Sequence, residues 1–170
     1  MHREQPGAHG RWQSEEGFTL LELMMVILII GILIAVLTPT FLGASSRAKD
    51  RAVQTNLSTA LTAAKNAYLQ NQSGDYSTVT NAALTQDAGA LTFVGSSTNP
   101  TSTTTISVLQ APGGVASQVI LSAYSKSGNC FYVLDDETAA TLYAQLPAAG
   151  GCQAVGAPAQ GAAAWKQGSW

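Results

Sequence analysis

Few side chains in this 170-residue chain are equipped for chemistry, and they are unevenly placed. Both histidines, His2 and His9, lie in the first ten residues, and the two cysteines, Cys130 and Cys152, lie late. Asp135, Asp136 and Glu137 form one acidic run. Glu22 is the most demanding of these groups. It sits near the start of "GFTLLELMMVILIIGILIAVL", residues 17–37, and from Leu23 to Leu37 no polar side chain follows it. A lone carboxylate carried into an apolar medium costs several kcal/mol unless a cation meets it. Glu22 therefore calls for a partner, which residue 18 could supply four residues back on the same helix if its amine were free, or for a place near enough the interface to snorkel.

The other groups point away from catalysis. The cysteine pair, set in a polar stretch, reads as one disulfide in an oxidising compartment, with two buried free thiols as the alternative. The acidic run offers the oxygen ligands that Ca²⁺ prefers, but it lacks EF-hand spacing, and a solvated turn is the better reading. No phosphate-binding loop or dinucleotide fingerprint is present. Charged residues make up 11 % of the chain, against about 25 % in an average globular protein. The formal net charge of −2 gives no electrostatic footprint for nucleic acid. No cofactor or metal is implied.

The elements that must position these residues follow from periodicity. The apolar run extends through Thr38, Pro39 and Thr40 to Phe41 and Leu42, about 20 residues and long enough to cross a hydrocarbon core of about 30 Å. A secretory signal would place its basic region first and a small-residue cleavage site after the run. Here residues 1–17 are hydrophilic, and Gly43-Ala44-Ser45 is a weak cleavage site, so a cut ahead of the run fits better. Arg3 and Arg11 are offset by Glu4, Glu15 and Glu16, while Arg47, Lys49 and Arg51 follow the span. That balance weakly opposes an exported C-terminal part, whereas the cysteines favour one. Gly31 and Ala35 form a small-xxx-small pair. Pro39 removes a backbone hydrogen bond and, with Gly43 one turn on, is expected to kink or soften the helix there.

From Ser46 to about Gln70 the pattern becomes amphipathic, with Val53, Leu57, Ala60, Leu61, Ala64, Tyr68 and Leu69 as the predicted inward stripe. Asn71-Gln72-Ser73-Gly74-Asp75 predicts a helix stop. Residues 72–103 read as a surface loop with a short helix near Asn81 to Gln86. Strands are predicted at Thr104–Leu109, Gln118–Ser125 and Cys130–Asp135, the last two as a hairpin; residues 138–145 read equally as strand or helix. The tail from Gly156 to Trp170, with Trp165 and Trp170, is left between a mobile segment and an anchored one. Asn56-Leu57-Ser58 and Asn71-Gln72-Ser73 match the glycosylation triplet.

Gly17-Phe18-Thr19-Leu20-Leu21-Glu22, joined to the apolar run and Pro39, resembles the class III signal of type IV pilins and the related pseudopilins of type II secretion. The resemblance covers roughly residues 14–51. It implies an α+β pilin fold, in which a long N-terminal helix, membrane-spanning and then amphipathic, packs on a C-terminal antiparallel sheet. The implied organisation is a leader at 1–17, an apolar helix at 18–45, an amphipathic helix at 46–71 and a globular head at 72–170. A prepilin peptidase would cut between Gly17 and Phe18 and methylate the Phe18 amine. Glu22 of an incoming subunit would then meet the Phe18 amine of one already assembled. Where many relatives carry Lys or Arg before the glycine, this chain has Glu15 and Glu16.

The resemblance further implies a subunit of a helical homopolymer. It would be held in the inner membrane with its head outside, extracted by an assembly platform, and displayed as an extracellular pilus. Pseudopilin and minor or competence pilin are the alternatives. The mature chain would keep neither histidine, which excludes Ser-His and Cys-His catalysis and histidine metal sites. On this reading it is a substrate of enzymes rather than one itself.

Overall fold

The structure, a computed structural model, describes residues 17–71 and 74–170, and the backbone alone for 38–42. The chain divides into two units, one ending at Phe41 and the other running from Leu42 to Trp170. The first helix, α1 (Leu20–Gln70), passes from one to the other.

In the first unit every side chain from Leu20 to Leu37 is exposed. With only Gly31 to weaken it, this segment satisfies its own backbone hydrogen bonds, as a segment facing hydrocarbon must. Among the described residues it alone is long and apolar enough to cross a membrane. The helical backbone continues past Pro39 and Gly43.

In the second unit α1 lays one stripe on the sheet. Val53, Leu57, Ala60 and Ala64 are completely buried, Ala63 nearly so, and Leu61, Ala67 and Tyr68 are partly covered. The expected stripe is corrected at one position: Leu69 is 76% exposed. At about 100° per residue it has rotated off the face that Ala64 and Tyr68 share. The solvent side is rich in hydroxyls whose protons stay on the helix. Thr55, Ser58, Thr59 and Thr62 each donate to the carbonyl four residues back, at 3.0–3.1 Å, the usual resting place for Ser and Thr inside a helix.

Beyond α1, Asp75 caps a 3-10 turn at Tyr76–Thr78, and Thr80 caps α2 (Asn81–Asp87) through the Ala83 N–H at 3.2 Å. Six strands follow: β1 (Thr92–Gly95), β2 (Thr105–Gln110), β3 (Gln118–Tyr124), β4 (Asn129–Asp136), β5 (Leu142–Pro147) and β6 (Lys166–Gln167). They lie side by side in chain order in one sheet. All neighbours are antiparallel except β1 and β2, which are parallel, with Thr92 opposite Thr105. A parallel pair ordinarily needs a long crossover. Here β1 has four residues, so the connection retraces only about 13 Å, and residues 96–104 suffice.

The sheet is covered on both faces. Ile106, Val108, Val119, Leu121, Ala123, Phe131 and Val133 meet α1, while Ile120, Tyr132, Leu134 and Ala144 meet the C-terminal segment. That is why β3 and β4 read as near-continuous apolar runs instead of alternating ones. The Cys130–Cys152 disulfide pins that second cover, bridging residues 22 apart and contributing about 3 kcal/mol by restricting the unfolded chain. Around it the Cys152 N–H donates to Asn99 Oδ1 at 2.9 Å, Ser122 Oγ donates to the Cys152 carbonyl at 2.6 Å, and the Ala154 N–H donates to Ser107 Oγ at 3.1 Å.

The tail is anchored. Trp165 packs on the outer cluster and donates Nε1–H to the Pro158 carbonyl at 3.1 Å. Trp170 packs on the helix side, edge-on to Phe131 at 5.9 Å and to Tyr143 at 4.7 Å between ring centroids. Between them β6 pairs with Leu142 and Tyr143. The tail thus folds around the start of the β5 edge, a tryptophan on each face, covering part of an edge that could otherwise template another chain. Trp170→Ala should lower the stability of the disulfide-intact protein by about 1–3 kcal/mol in denaturant titrations. It should also speed amide exchange at β5 while leaving β3 protected; unchanged β5 exchange would contradict the wrap.

Candidate functional site

At the N-terminal motif, Gly17, Phe18 and Thr19 precede α1 and are exposed, Phe18 by 89%. The Gly17–Phe18 bond therefore lies in an irregular, accessible segment immediately before a helix. A Cβ built on Gly17 meets nothing within 4 Å, and its backbone is not left-handed. The chain's own fold makes no demand for glycine there.

Thr19 is the cap of α1, its carbonyl accepting the first helical bond from the Leu23 N–H at 3.2 Å. The Thr19 N–H and hydroxyl both donate to Glu22 Oε2 at 2.9 Å, and the Glu22 N–H donates to Thr19 Oγ1 at 3.2 Å. This is a reciprocal capping box, Thr-x-x-Glu, which satisfies two orphan donors of the first turn. Because Phe18 precedes the helix, Glu22 meets Thr19 three residues back and not Phe18 four residues back. Sequence reasoning passed over the box, although its signature stands in T-L-L-E.

Gly31 and Ala35 line an apolar face of the same segment together with Leu21, Met24, Leu28 and Ile32. No Cβ contact would arise at Gly31 or Gly43 within the chain, so the space at Gly31 is available to a neighbouring helix.

The acidic run corrects the expectation of a solvated turn. Asp135 is completely buried and receives hydrogen bonds from Tyr76 Oη at 2.7 Å and Thr141 Oγ1 at 2.6 Å, with the Lys65 Nζ at 3.1 Å. Glu137 joins the cluster, accepting from Tyr76 at 3.0 Å and lying 3.5 Å from Lys65. The three acids diverge, since Asp136 points the other way, and no cluster of three metal-binding side chains occurs among the described residues. Partial burial works against the Lys65 ammonium, but Asp135 and Glu137 outweigh it and hold its pKa above the ordinary value. Burial and the same two carboxylates push the Tyr76 hydroxyl far up. The group ties helix to sheet around one buried carboxylate, with Lys65 reaching it from the half-exposed side. Asn56, of the first glycosylation triplet, is committed too, its Nδ2 donating to the Thr103 carbonyl at 2.8 Å; the second triplet lies partly outside the described residues.

Sequence similarity bears on the N-terminal segment. A family model described as the prokaryotic N-terminal methylation motif matches residues 12–38. Over 49 residues the chain is 49% identical to the type IV major pilin protein PilA of Myxococcus xanthus. That stretch is 29% of this chain and 22% of that protein, so the likeness spans about a fifth of the relative. No solved structure matches the chain.

Asp136 gives the head an acid limit. Gln118 Nε2 at 2.7 Å, the Thr138 hydroxyl at 2.7 Å and the Thr138 N–H at 2.9 Å hold its carboxyl down to about 2. A depressed carboxylate stabilises the fold above its unfolded pKa of about 4, and that contribution is lost as pH falls through the folded value. Acid unfolding followed by circular dichroism should therefore show a component between about pH 4 and pH 2 that Asp136→Asn lacks. Superimposable acid curves would refute it.

Over its N-terminal segment, then, the chain bears the prokaryotic N-terminal methylation motif and is similar there to a type IV major pilin.

Proposed function

We propose that this chain is the structural subunit of a type IV pilus filament. The observation that supports the reading is an exposed glycine, Gly17, two residues short of a helix that is apolar and exposed from Leu23 to Leu37 and whose first turn holds one carboxylate. Residues 1–17 are a leader, cut after Gly17 by a prepilin peptidase that also methylates the Phe18 amine. The requirement for glycine lies with that enzyme, since nothing around Gly17 in this chain limits a side chain. Before assembly the segment Leu20–Leu37 spans the inner membrane, with the head on the exterior side where Cys130 and Cys152 can oxidise. An assembly platform then draws it into a helical bundle of its own copies, where neighbouring spans replace lipid. Pro39 and Gly43 mark the stretch that loosens when the helices pack. The chain is a substrate in these steps and performs no catalysis.

Glu22 has two roles that differ in energy and in chemistry. As half of a capping box it acts through hydrogen bonds alone, and glutamine can serve there equally. As the counter-ion of a Phe18 amine on a neighbouring copy it needs its charge, because an unmatched ion in the bundle costs several kcal/mol. A slip of one turn would strand both charges, so the pair fixes axial register.

Mass spectrometry of the chain purified from cells with a working peptidase tests the reading. A mature protein starting at Phe18 and one methyl group heavier supports it; an intact Met1 speaks for a permanently anchored protein. Glu22→Gln separates the two roles. It should leave the helix start and membrane insertion unchanged yet reduce filament yield at least tenfold in sheared-fibre preparations. Normal fibres from that variant would remove the charge pair from the account.

A further inference from the structure

The basic residues of the chain are concentrated. Arg47, Lys49, Arg51 and Lys126 are four of its 8 lysines and arginines, and all four are exposed. The first three follow the apolar run closely: Arg47 is five residues beyond Leu42, about 7.5 Å along a helix. Lys126 comes from elsewhere, at the turn between β3 and β4, and the fold brings it to the same level. Asp50 on α1 accepts hydrogen bonds from Ser125 Oγ at 2.6 Å and from Ser127 Oγ, the two residues flanking Lys126. Among the described residues Lys65 is the cation that forms ion pairs; none of these four does. Asp50 returns one negative charge to the group, already engaged by two hydroxyls.

Their arrangement distinguishes one class of partner. At about 100° per residue, Arg47 and Arg51 leave α1 on one side and Lys49 leaves it nearly opposite, while Lys126 stands on the sheet side. A protein partner approaching laterally would meet one side of such a group. A layer of phosphates pierced by the helix meets all of it. Long Lys and Arg stems can also reach back several ångströms to the headgroup level while their apolar parts lie along the helix.

We infer that Arg47, Lys49, Arg51 and Lys126 form a basic collar that binds the phosphates of anionic phospholipids in the leaflet from which the head emerges. The collar holds the unassembled subunit with its head seated on the membrane surface. It rests on the membrane-spanning reading of Leu20–Leu37. Each basic side chain close to an anionic surface strengthens attraction by roughly fivefold, and the attraction is screened by salt.

The test uses the full chain reconstituted in phosphatidylcholine vesicles containing phosphatidylglycerol. Spin-labelled phosphatidylglycerol and phosphatidylcholine report relative association with the protein by electron paramagnetic resonance. A several-fold preference for phosphatidylglycerol is expected, falling towards unity in molar salt and in the quadruple Gln variant. Lys126→Gln alone should bring it measurably closer to unity without abolishing it, which separates a folded collar from a generic juxtamembrane cluster. Circular dichroism and an intact disulfide show that the variants fold. Co-flotation with vesicles but no lipid preference, or a preference indifferent to Lys126, overturns the collar and leaves the span standing. Absence of preference together with carbodiimide cross-links from Lys49 to acidic residues of a second copy assigns the basic group to a protein contact instead. Failure to co-float overturns the span and the collar with it.

Discussion

One helix must answer to two environments, and the rest of the structure follows from that constraint. From Leu20 to Leu37 the rod is apolar on every side, so water is a poor solvent for all of it and no single face is preferred. From Val53 to Ala64 only one stripe is apolar and the opposite side carries Thr and Ser. The first pattern suits an isotropic apolar surrounding, lipid or a crowd of like helices. The second suits a single sheet. The switch occurs within about ten residues that hold Arg47, Lys49 and Arg51, where charge marks the passage from one medium to the other.

Within the apolar half, Glu22 is the one charged side chain from Leu20 to Leu37, and the proposed assembly would change its surroundings. In the chain with its first seventeen residues attached, the carboxylate has donors at hand from Thr19 and lies near the helix start, where the macrodipole favours a negative charge. Removing the leader would create an ammonium one residue before that cap. On the proposed reading the Thr19–Glu22 box is the resting state of that carboxylate. Thr19 offers it neutral donors only, which leave its charge uncompensated, whereas an ammonium from a second copy would also neutralise it when both ions leave water.

Much of this was legible from residue order. The apolar run, the G-F-T-L-L-E motif, the amphipathic continuation, the short helix at Asn81–Asp87 and the hairpin of β3 and β4 follow from periodicity and turn residues acting over short distances. What escaped depended on partners distant in sequence. β1 has four residues ahead of a Ser- and Thr-rich stretch and exists only because β2 accepts it in parallel. β6 is two residues long and means nothing without the β5 edge. Asp135 looked like a turn residue beside Asp136 and Glu137, yet its environment is set by Lys65, seventy residues earlier, and by Tyr76. Leu69 lies beside Tyr68 on the predicted stripe, but rotation counted from Ala64 carries it off that face and it is exposed.

The polar ties also resolve a difficulty in the head itself. Ala60, Ala63 and Ala64 are buried on the stripe that faces the sheet, but alanines present a nearly featureless surface, and a smooth stripe resists sliding poorly. Branched knobs at Val53 and Leu57 fix only one end. Three polar contacts spread along the helix supply what the alanines lack: Asp50 with Ser125 and Ser127, Asn56 with the Thr103 carbonyl, and Lys65 with Asp135. Asp50 and Lys65 are 15 residues apart, about 22 Å along the axis. A shift of one turn would break all three and leave Asp135 charged and buried without its cation, a penalty of several kcal/mol. A buried ion pair seldom adds much net stability over well-packed apolar residues. Its value here is geometric: it sets where the head sits along the one helix that both anchors it and, in a filament, would transmit that position to every neighbouring copy.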